Sequence, residues 1–238
     1  MIICIIFIIH WYLSLFSQTF FLHRYAAHQA FTMNRKWERF FFILTYLTQG
    51  SSYLSPRSYA ILHRLHHAHT DKELDPHSPS HDGNVFKMMW RTRNIYNAIS
   101  YDRIAVDSKF KKNVPEWRRF DLWANSSLSR LLWMALYLCM YIVIAPPAIC
   151  WLLLPVQAAL SPIHGVIINW YAHKYGKRNY DTDNTSTNLF KVDWLMLGEG
   201  YHNNHHMHPA RTNFAAKKGE FDFCYPVIVL FQKWKIIT

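Results

Sequence analysis

Charge is missing from two long stretches of this 238-residue chain, and the lengths of those stretches decide its class. Residues 1–22 contain no Lys, Arg, Asp or Glu, and neither do the 43 residues from Leu131 to His173. A bilayer span takes about 20 apolar residues. The first stretch therefore supplies one span and the second supplies two, divided at Pro146–Pro147 because proline cannot continue a helix interior. Spans are expected over about 1–22, 128–145 and 148–169. Cysteine is scarce, and Cys4, Cys139, Cys150 and Cys224 lie far apart, which excludes a disulfide framework and an iron–sulfur cluster. No glycine-rich phosphate loop, internal repeat or low-complexity tract is present. The N-terminal run also lacks a basic leader and a small-residue cleavage site, so it reads as a retained anchor.

Acidic residues are outnumbered 15 to 26 by Lys and Arg, giving a formal charge of +11. All 26 basic residues fall in 23–130 and 174–238. Short loops rich in Lys and Arg stay on the cytoplasmic side of a membrane, so these segments are expected to face the cytoplasm. Topology accounts for the surplus, and no nucleic-acid role is expected.

Histidine is abundant, at 15 residues. Eight fall into three groups: His23-x4-His28, His63-x2-His66-His67 and His202-x2-His205-His206. A ninth closes the segment Asn169-x3-His173. Histidines three or four apart on a helix share a face, so each triplet can aim its imidazoles at one place. Neutral imidazole binds zinc, copper, nickel and iron, and no thiolate in any group favours a soft metal. Nine ligands exceed the roughly four of one tetrahedral ion, so a two-metal site is expected. His10, His69, His77, His81, His164 and His208 lack such grouping, and His164 sits in poor register with His173.

The seventeen uncharged residues from Phe40 to Pro56 are constrained by what flanks them. One crossing there would put His23 and His28 on the opposite side of the membrane from His63, His66 and His67. The segment 40–56 is therefore expected to be re-entrant or interfacial, turning near Gln49–Ser52. Residues 82–129 mix Trp90, Tyr96, Trp117 and Trp123 with basic residues, as headgroup-level helices do. The chain is thus expected to be one domain over 1–238, an all-α membrane protein. It should have about three transmembrane helices, a re-entrant or interfacial helix, and a cytoplasmic helical cap holding a dimetal site.

Taken together, these residues resemble the membrane fatty acid desaturases. The first two histidine boxes read His23-Arg24-Tyr25-Ala26-Ala27-His28 and His63-Arg64-Leu65-His66-His67, the second followed by Thr70-Asp71 and Asp75-Pro76-His77. The third box lies in Gly198-Glu199-Gly200-Tyr201-His202-Asn203-Asn204-His205-His206. Asn169 and His173 look like the family's asparagine and ninth histidine, and the likeness runs from about Phe20 onward, closest to the acyl-CoA Δ9-type branch. The resemblance implies two irons, cycling between Fe2+ and Fe3+, on His23, His28, His63, His66, His67, His173, His202, His205 and His206. Asn169 would act through a bound water. Dioxygen is then the co-substrate, a cis double bond is the product, and zinc is a substitute ion in purified samples. Asp71, Asp75 and Glu199 are the expected acceptors that orient the imidazoles.

Two departures from the family stand out. Only 22 residues precede the first box, enough for one span, which places the N-terminus on the far side of the membrane. Ile61–Leu62 stand where the acyl-CoA branch has an Arg-Asp pair, so CoA, acyl carrier protein and phospholipid all remain as acyl carriers. An external donor of ferredoxin or cytochrome b5 type is expected, docking on Lys109, Lys111, Lys112, Arg118 and Arg119. The expected location is a bacterial inner membrane or the endoplasmic reticulum, with the active site facing the cytoplasm. The rival readings are a membrane diiron hydroxylase and a metal-binding or metal-transport protein.

Overall fold

The computed structural model describes residues 1–238 and is all-helical, with three isolated β-bridges and no strands. Helix α1 (Ile2–Phe16) runs on without a break as a π-helix through Ser17–Ala27. Together they form a 26-residue helix long and apolar enough to cross a bilayer. The span expected to stop near residue 22 thus continues by another turn, because Arg24 finds buried partners and its charge need not end the helix.

Helix α2 (Arg35–Gln49) starts where Asn34 accepts hydrogen bonds from the backbone N–H groups of Lys36 and Trp37. A tight turn at Gly50–Ser52 reverses the chain. Helix α3 (Pro56–His69) then begins with proline in its first turn and Ser55 as cap, and carries the second histidine box back down. The turn falls within the segment expected to be re-entrant or interfacial, near Gln49–Ser52. Its limbs are longer than the uncharged window 40–56, since they include Arg35, Arg39, Arg57 and Arg64.

The segment expected to form a helical cap folds as α4 (Val85–Ser100), α5 (Ser108–Lys111) and α6 (Arg118–Ala124). Helix α7 (Ser127–Ile144) is the second full-length span. The third expected span is broken. A 3-10 turn at Ala148–Leu152 and α8 (Leu153–Ala158) meet α9 (Leu160–Asn169) and a 3-10 turn at Tyr171–His173 with a bend of 72°. Pro155 and Pro162 flank the break, and neither can donate to an uninterrupted ladder. A long irregular segment leads to α10 (His202–Met207), and α11 (Tyr225–Lys233) closes the chain.

Aromatic packing fixes the inner end of the first span. Phe20 lies 4.8 Å from Phe41, 4.9 Å from Phe31 and 5.4 Å from Phe231, centroid to centroid. Phe21, Phe42, Ile228 and Ile237 complete this core. Each such buried side chain contributes about 1.5–3 kcal/mol, and the C-terminal residue is tied in by paired backbone bonds between Thr32 and Thr238. The hairpin turn is held from α7, where Arg130 donates to the carbonyls of Ser51 (2.5 Å) and Tyr53 (2.9 Å) and to Asn125 (2.6 Å).

Gly50 sits in this turn at φ +53°, and a Cβ there would collide with the Tyr137 hydroxyl. Gly50→Ala is predicted to cost about 1–3 kcal/mol through left-handed strain and added clash. The measurement is a thermal melt in detergent, where an unchanged midpoint would contradict the packing described.

Candidate metal centre

The H-x4-H spacing of His23 and His28 does not suit an α-helix, in which residues five apart point to different sides. The π-helix resolves this. Its i→i+5 ladder takes more than four residues per turn, so residues five apart stack nearly one above the other. His28 N–H donates to the His23 carbonyl at 3.1 Å, and the two rings lie 4.9 Å apart. In α3 and α10 the ordinary helical spacing does the same work for the two triplets.

The nine grouped histidines meet in two adjoining sets. His23, His28, His63, His67 and His205 form one, and His66, His173, His202 and His206 the other; in each, one ligand atom per residue lies within 4.8 Å of all the rest. The Nε2 atoms face one another: 3.0 Å for His23–His205, 2.8 Å for His28–His63 and 3.0 Å for His205–His67 in the first set. In the second they are 3.0 Å for His173–His202, 3.0 Å for His202–His206 and 3.3 Å for His66–His206. Burial first, and then the neighbouring imidazoles, push His28, His63, His67, His202, His205 and His206 well below the ordinary histidine range. They are therefore neutral, the form that binds metal. Protons cannot satisfy five converging ring nitrogens, since each neutral ring has a single N–H to offer. A cation in each set would.

The rings are braced from behind. Asp75 lies 2.9 Å and 3.0 Å from His66 Nδ1 and accepts from the backbone N–H of Asp71 and His77. Burial alone would raise its pKa; the bonds and charge of His66 prevail and hold it well below the carboxylate range. Asp71 accepts from Thr185, whose hydroxyl is 3.1 Å from His173 Nδ1. Glu199 sits 2.6 Å from His23 Nδ1. All three carboxylates expected to act as acceptors thus stand behind a grouped histidine.

Sequence reasoning missed what holds Glu199. Arg24 is fully buried, 3.3 Å from Glu199 and 2.6 Å from Asp222. It also donates to the Thr212 carbonyl and to the Thr19 hydroxyl, and lies 3.8 Å over the Phe214 ring. The glycines of Gly198-Glu199-Gly200 are explained by crowding. Gly198 has φ +101° and faces Asp222, where a Cβ would approach to 2.5 Å, while one on Gly200 would meet Asp193 at 2.8 Å. Asp193 accepts from the backbone N–H of Met196, Gly198 and Gly200, and burial pushes its carboxyl up to about 6. The one available signal was Arg24 itself, a charge inside an otherwise apolar helix.

A cavity of about 600 Å³ reaches both sets, lined by His23, His63, His202, Glu199 and Asn169 at the centre and by Leu15, Leu54, Leu62, Ile168 and Met196 along its length. Asn169 is thus placed on the cavity wall. Of the ungrouped histidines, His77 is buried 4.3 Å from the His66 ring and also lines the cavity. His164 is buried against Trp11 at 4.6 Å, His10 contacts Gln157 at 3.1 Å and His81 contacts the Lys72 carbonyl at 2.6 Å, all outside the two sets. His69 and His208 pack near Phe110 and Tyr180, also outside them.

Comparison with known proteins agrees with this geometry. The family profile described as fatty acid desaturase matches residues 1–216. The chain is 26% identical to an sn-1 stearoyl-lipid 9-desaturase of Anabaena variabilis, over 94% of this chain and 78% of that protein. It is 28% identical to the Delta-9 desaturase-like 5 protein of Arabidopsis thaliana, over 95% and 72%. An acyl-CoA C20 Delta5-desaturase of Anemone leveillei is 27% identical, over 94% and 69%.

Removing Arg24 would strand two buried carboxylates. Arg24→Met is predicted to destabilise the protein by about 3–5 kcal/mol and to lower bound metal, read by thermal melts and elemental analysis. His205→Ala should lose metal from the five-histidine set alone, so a variant retaining the full metal complement would contradict the assignment.

Proposed function

The chain belongs to the fatty acid desaturase family, and from that premise we propose that it introduces a cis double bond into a saturated fatty acyl chain at a histidine-ligated diiron centre, consuming dioxygen. The carrying observation is that one largely apolar cavity is lined by residues of both histidine sets, His23 and His63 of one and His202 of the other. A hydrocarbon chain laid in it passes His23, His63 and His202 with its methylenes toward the metals.

His23, His28, His63, His67 and His205 would hold one iron, and His66, His173, His202 and His206 the other, with Asn169 contributing through a water. When bound, the iron pair supplies the oxidising power that removes two hydrogens from a methylene pair as dioxygen, two electrons and two protons become two waters. The residues of the chain do the rest. Asp75, Glu199 and the Asp71–Thr185 pair fix which ring nitrogen carries the proton and so leave Nε2 free for metal. The leucine, isoleucine and methionine walls exclude bulk water and hold the chain extended. At Gly165, Met89 of α4 comes close: a Cβ there would lie 3.9 Å from the Met89 Cε and 3.8 Å from the Asn169 amide nitrogen.

The concentration of Lys and Arg in the segments around the centre supports a centre on the cytoplasmic side, with the N-terminus of α1 across the membrane. Electrons come from a separate acidic donor of ferredoxin or cytochrome b5 type. Lys109, Lys111, Lys112 and Arg119 are exposed for it, whereas Arg118 is engaged with Asp102 at 2.8 Å and the Ser100 carbonyl at 2.6 Å.

Expression in a host rich in saturated acyl chains, with electron donor and iron supplied, tests the reading by gas chromatography–mass spectrometry. A new monounsaturated chain is expected, absent in His205→Ala; a hydroxylated chain would instead establish the oxygen-inserting rival. Gly165→Leu should cut product roughly tenfold or more, equivalent to about 1.4 kcal/mol, with metal content intact because the side chain fills the cavity and touches no histidine. Reversing Lys111 and Arg119 to Glu should slow donor-dependent turnover and flatten its dependence on salt.

A further inference from the structure

The mouth of the cavity carries information about what brings the acyl chain. Its rim is one face of α4, where Phe86, Trp90, Arg93 and Asn97 succeed one another at three- and four-residue spacing. Across from them stands Pro162, exposed on α9 beside the 72° break of the third span. Phe86 and Trp90 are 83% and 62% exposed, although they sit at the edge of an apolar cavity. Exposed aromatic rings next to a cation mark the headgroup level of a bilayer. The opening therefore faces sideways into lipid, between an interfacial helix and a membrane-embedded one.

The charge at the mouth is specific in amount. Two cations line the cavity, Arg93 and Arg130. Arg130 is spent on the Ser51 and Tyr53 carbonyls and on Asn125. Arg91, on the outer side of α4, is spent on Asp82 at 2.7 Å and on the Asp75 and Ser78 carbonyls. Arg93 makes no hydrogen bond or ion pair and only rests 5.0 Å from the Trp90 ring centre. The Asn97 side chain, one turn further along, is likewise unbonded. A single free guanidinium with an adjacent amide matches one phosphodiester. It does not match coenzyme A, whose pyrophosphate and 3′-phosphate would need several cations, and the exposed Lys109, Lys111, Lys112 and Arg119 lie on other elements that do not line the cavity.

Resting on the desaturase reading above, we propose that the substrate is a membrane glycerophospholipid. One of its acyl chains passes laterally between α4 and α9 into the cavity, and Arg93 with Asn97 holds its phosphodiester at the mouth.

The test uses the full-length, metal-loaded protein with a competent electron donor. In one arm it is reconstituted in vesicles of distearoyl phosphatidylglycerol. In a second, stearoyl-CoA is added to vesicles of dialkyl ether lipid, and in a third stearoyl-acyl carrier protein is added to the same ether vesicles. Intact lipids and thioesters are then weighed by mass spectrometry. The expected result is an intact phospholipid lighter by two hydrogens, formed with no thioester present. Arg93→Gln should raise the half-saturating mole fraction of lipid roughly tenfold, as for loss of a charge-assisted hydrogen bond, with metal content unchanged. Arg93→Lys should restore part of the difference, and Lys87→Gln, outside the cavity, should leave it unmoved. Conversion of stearoyl-CoA or the carrier-protein thioester alone overturns the lipid proposal and keeps the desaturase reading. A lipid product insensitive to Arg93→Gln removes the assigned phosphate site, and no product in any arm overturns the desaturase reading itself.

Discussion

Nine imidazoles from four separate parts of the chain have to arrive at one level, beside a membrane, with their Nε2 atoms about a hydrogen bond apart, and most irregular features of the fold answer to that demand. The first box reaches it because α1 loosens into a π-helix just before leaving the bilayer. The second reaches it because the turn at Gly50–Ser52 lets both α2 and α3 pack against the π-helix that carries the first box. His173 reaches it through a 3-10 turn at the end of a broken span. Each irregularity costs regular hydrogen bonding, and each sits where a ligand is delivered.

Bringing so many nitrogens together out of water is unfavourable until a cation joins them, and the surrounding electrostatics are arranged for that state. Burial favours the neutral form of His28, His63, His67, His202, His205 and His206, while carboxylates stand behind His66 and His23, with the Asp71–Thr185 pair behind His173. One of those contacts, Glu199–His23, has support of its own. Arg24 bridges the buried carboxylates of Glu199 and Asp222, and Asp193 anchors the glycine-flanked loop that carries Glu199. A buried guanidinium with its two acids adds little net stability compared with an apolar replacement of all three together, whereas removing the guanidinium alone strands both acids. What it supplies is placement of the Glu199–His23 contact from the far end of the sequence.

Next to this polar centre the cavity is nearly its opposite. Its walls come from α1, α3, α4 and α9, so the same helices that deliver ligands also shape the channel beside them. A hydrocarbon has no polar handle by which to be positioned. Shape must do it, and Gly165 of α9 and Met89 of α4 both line the cavity beside Asn169. The free charge at its mouth then distinguishes one acyl carrier from another without touching the chemistry inside.

Much of this was legible in the residues. Uncharged runs gave the first two spans because a bilayer penalises any unpaired charge, and the spacing within His63–His67 and His202–His206 gave two ligand triplets because helical periodicity is local. The turn at Gln49–Ser52 followed from the need to keep two boxes on one side. The π-helix was not legible, since no local pattern in Ser17–Ala27 distinguishes it from an α-helix; packing against α3 and the shared centre selects it. Nor was the break at Ala159, where a hydrophobic run hides a bend. The partners of Arg24 were not legible, because Glu199 and Asp222 lie 175 and 198 residues away. Local spacing and solvation could be read directly from the chain. The division of nine histidines into a five and a four, the bracing of Glu199 and the position of the cavity mouth depend on contacts between distant segments, and only the folded chain brings those into range.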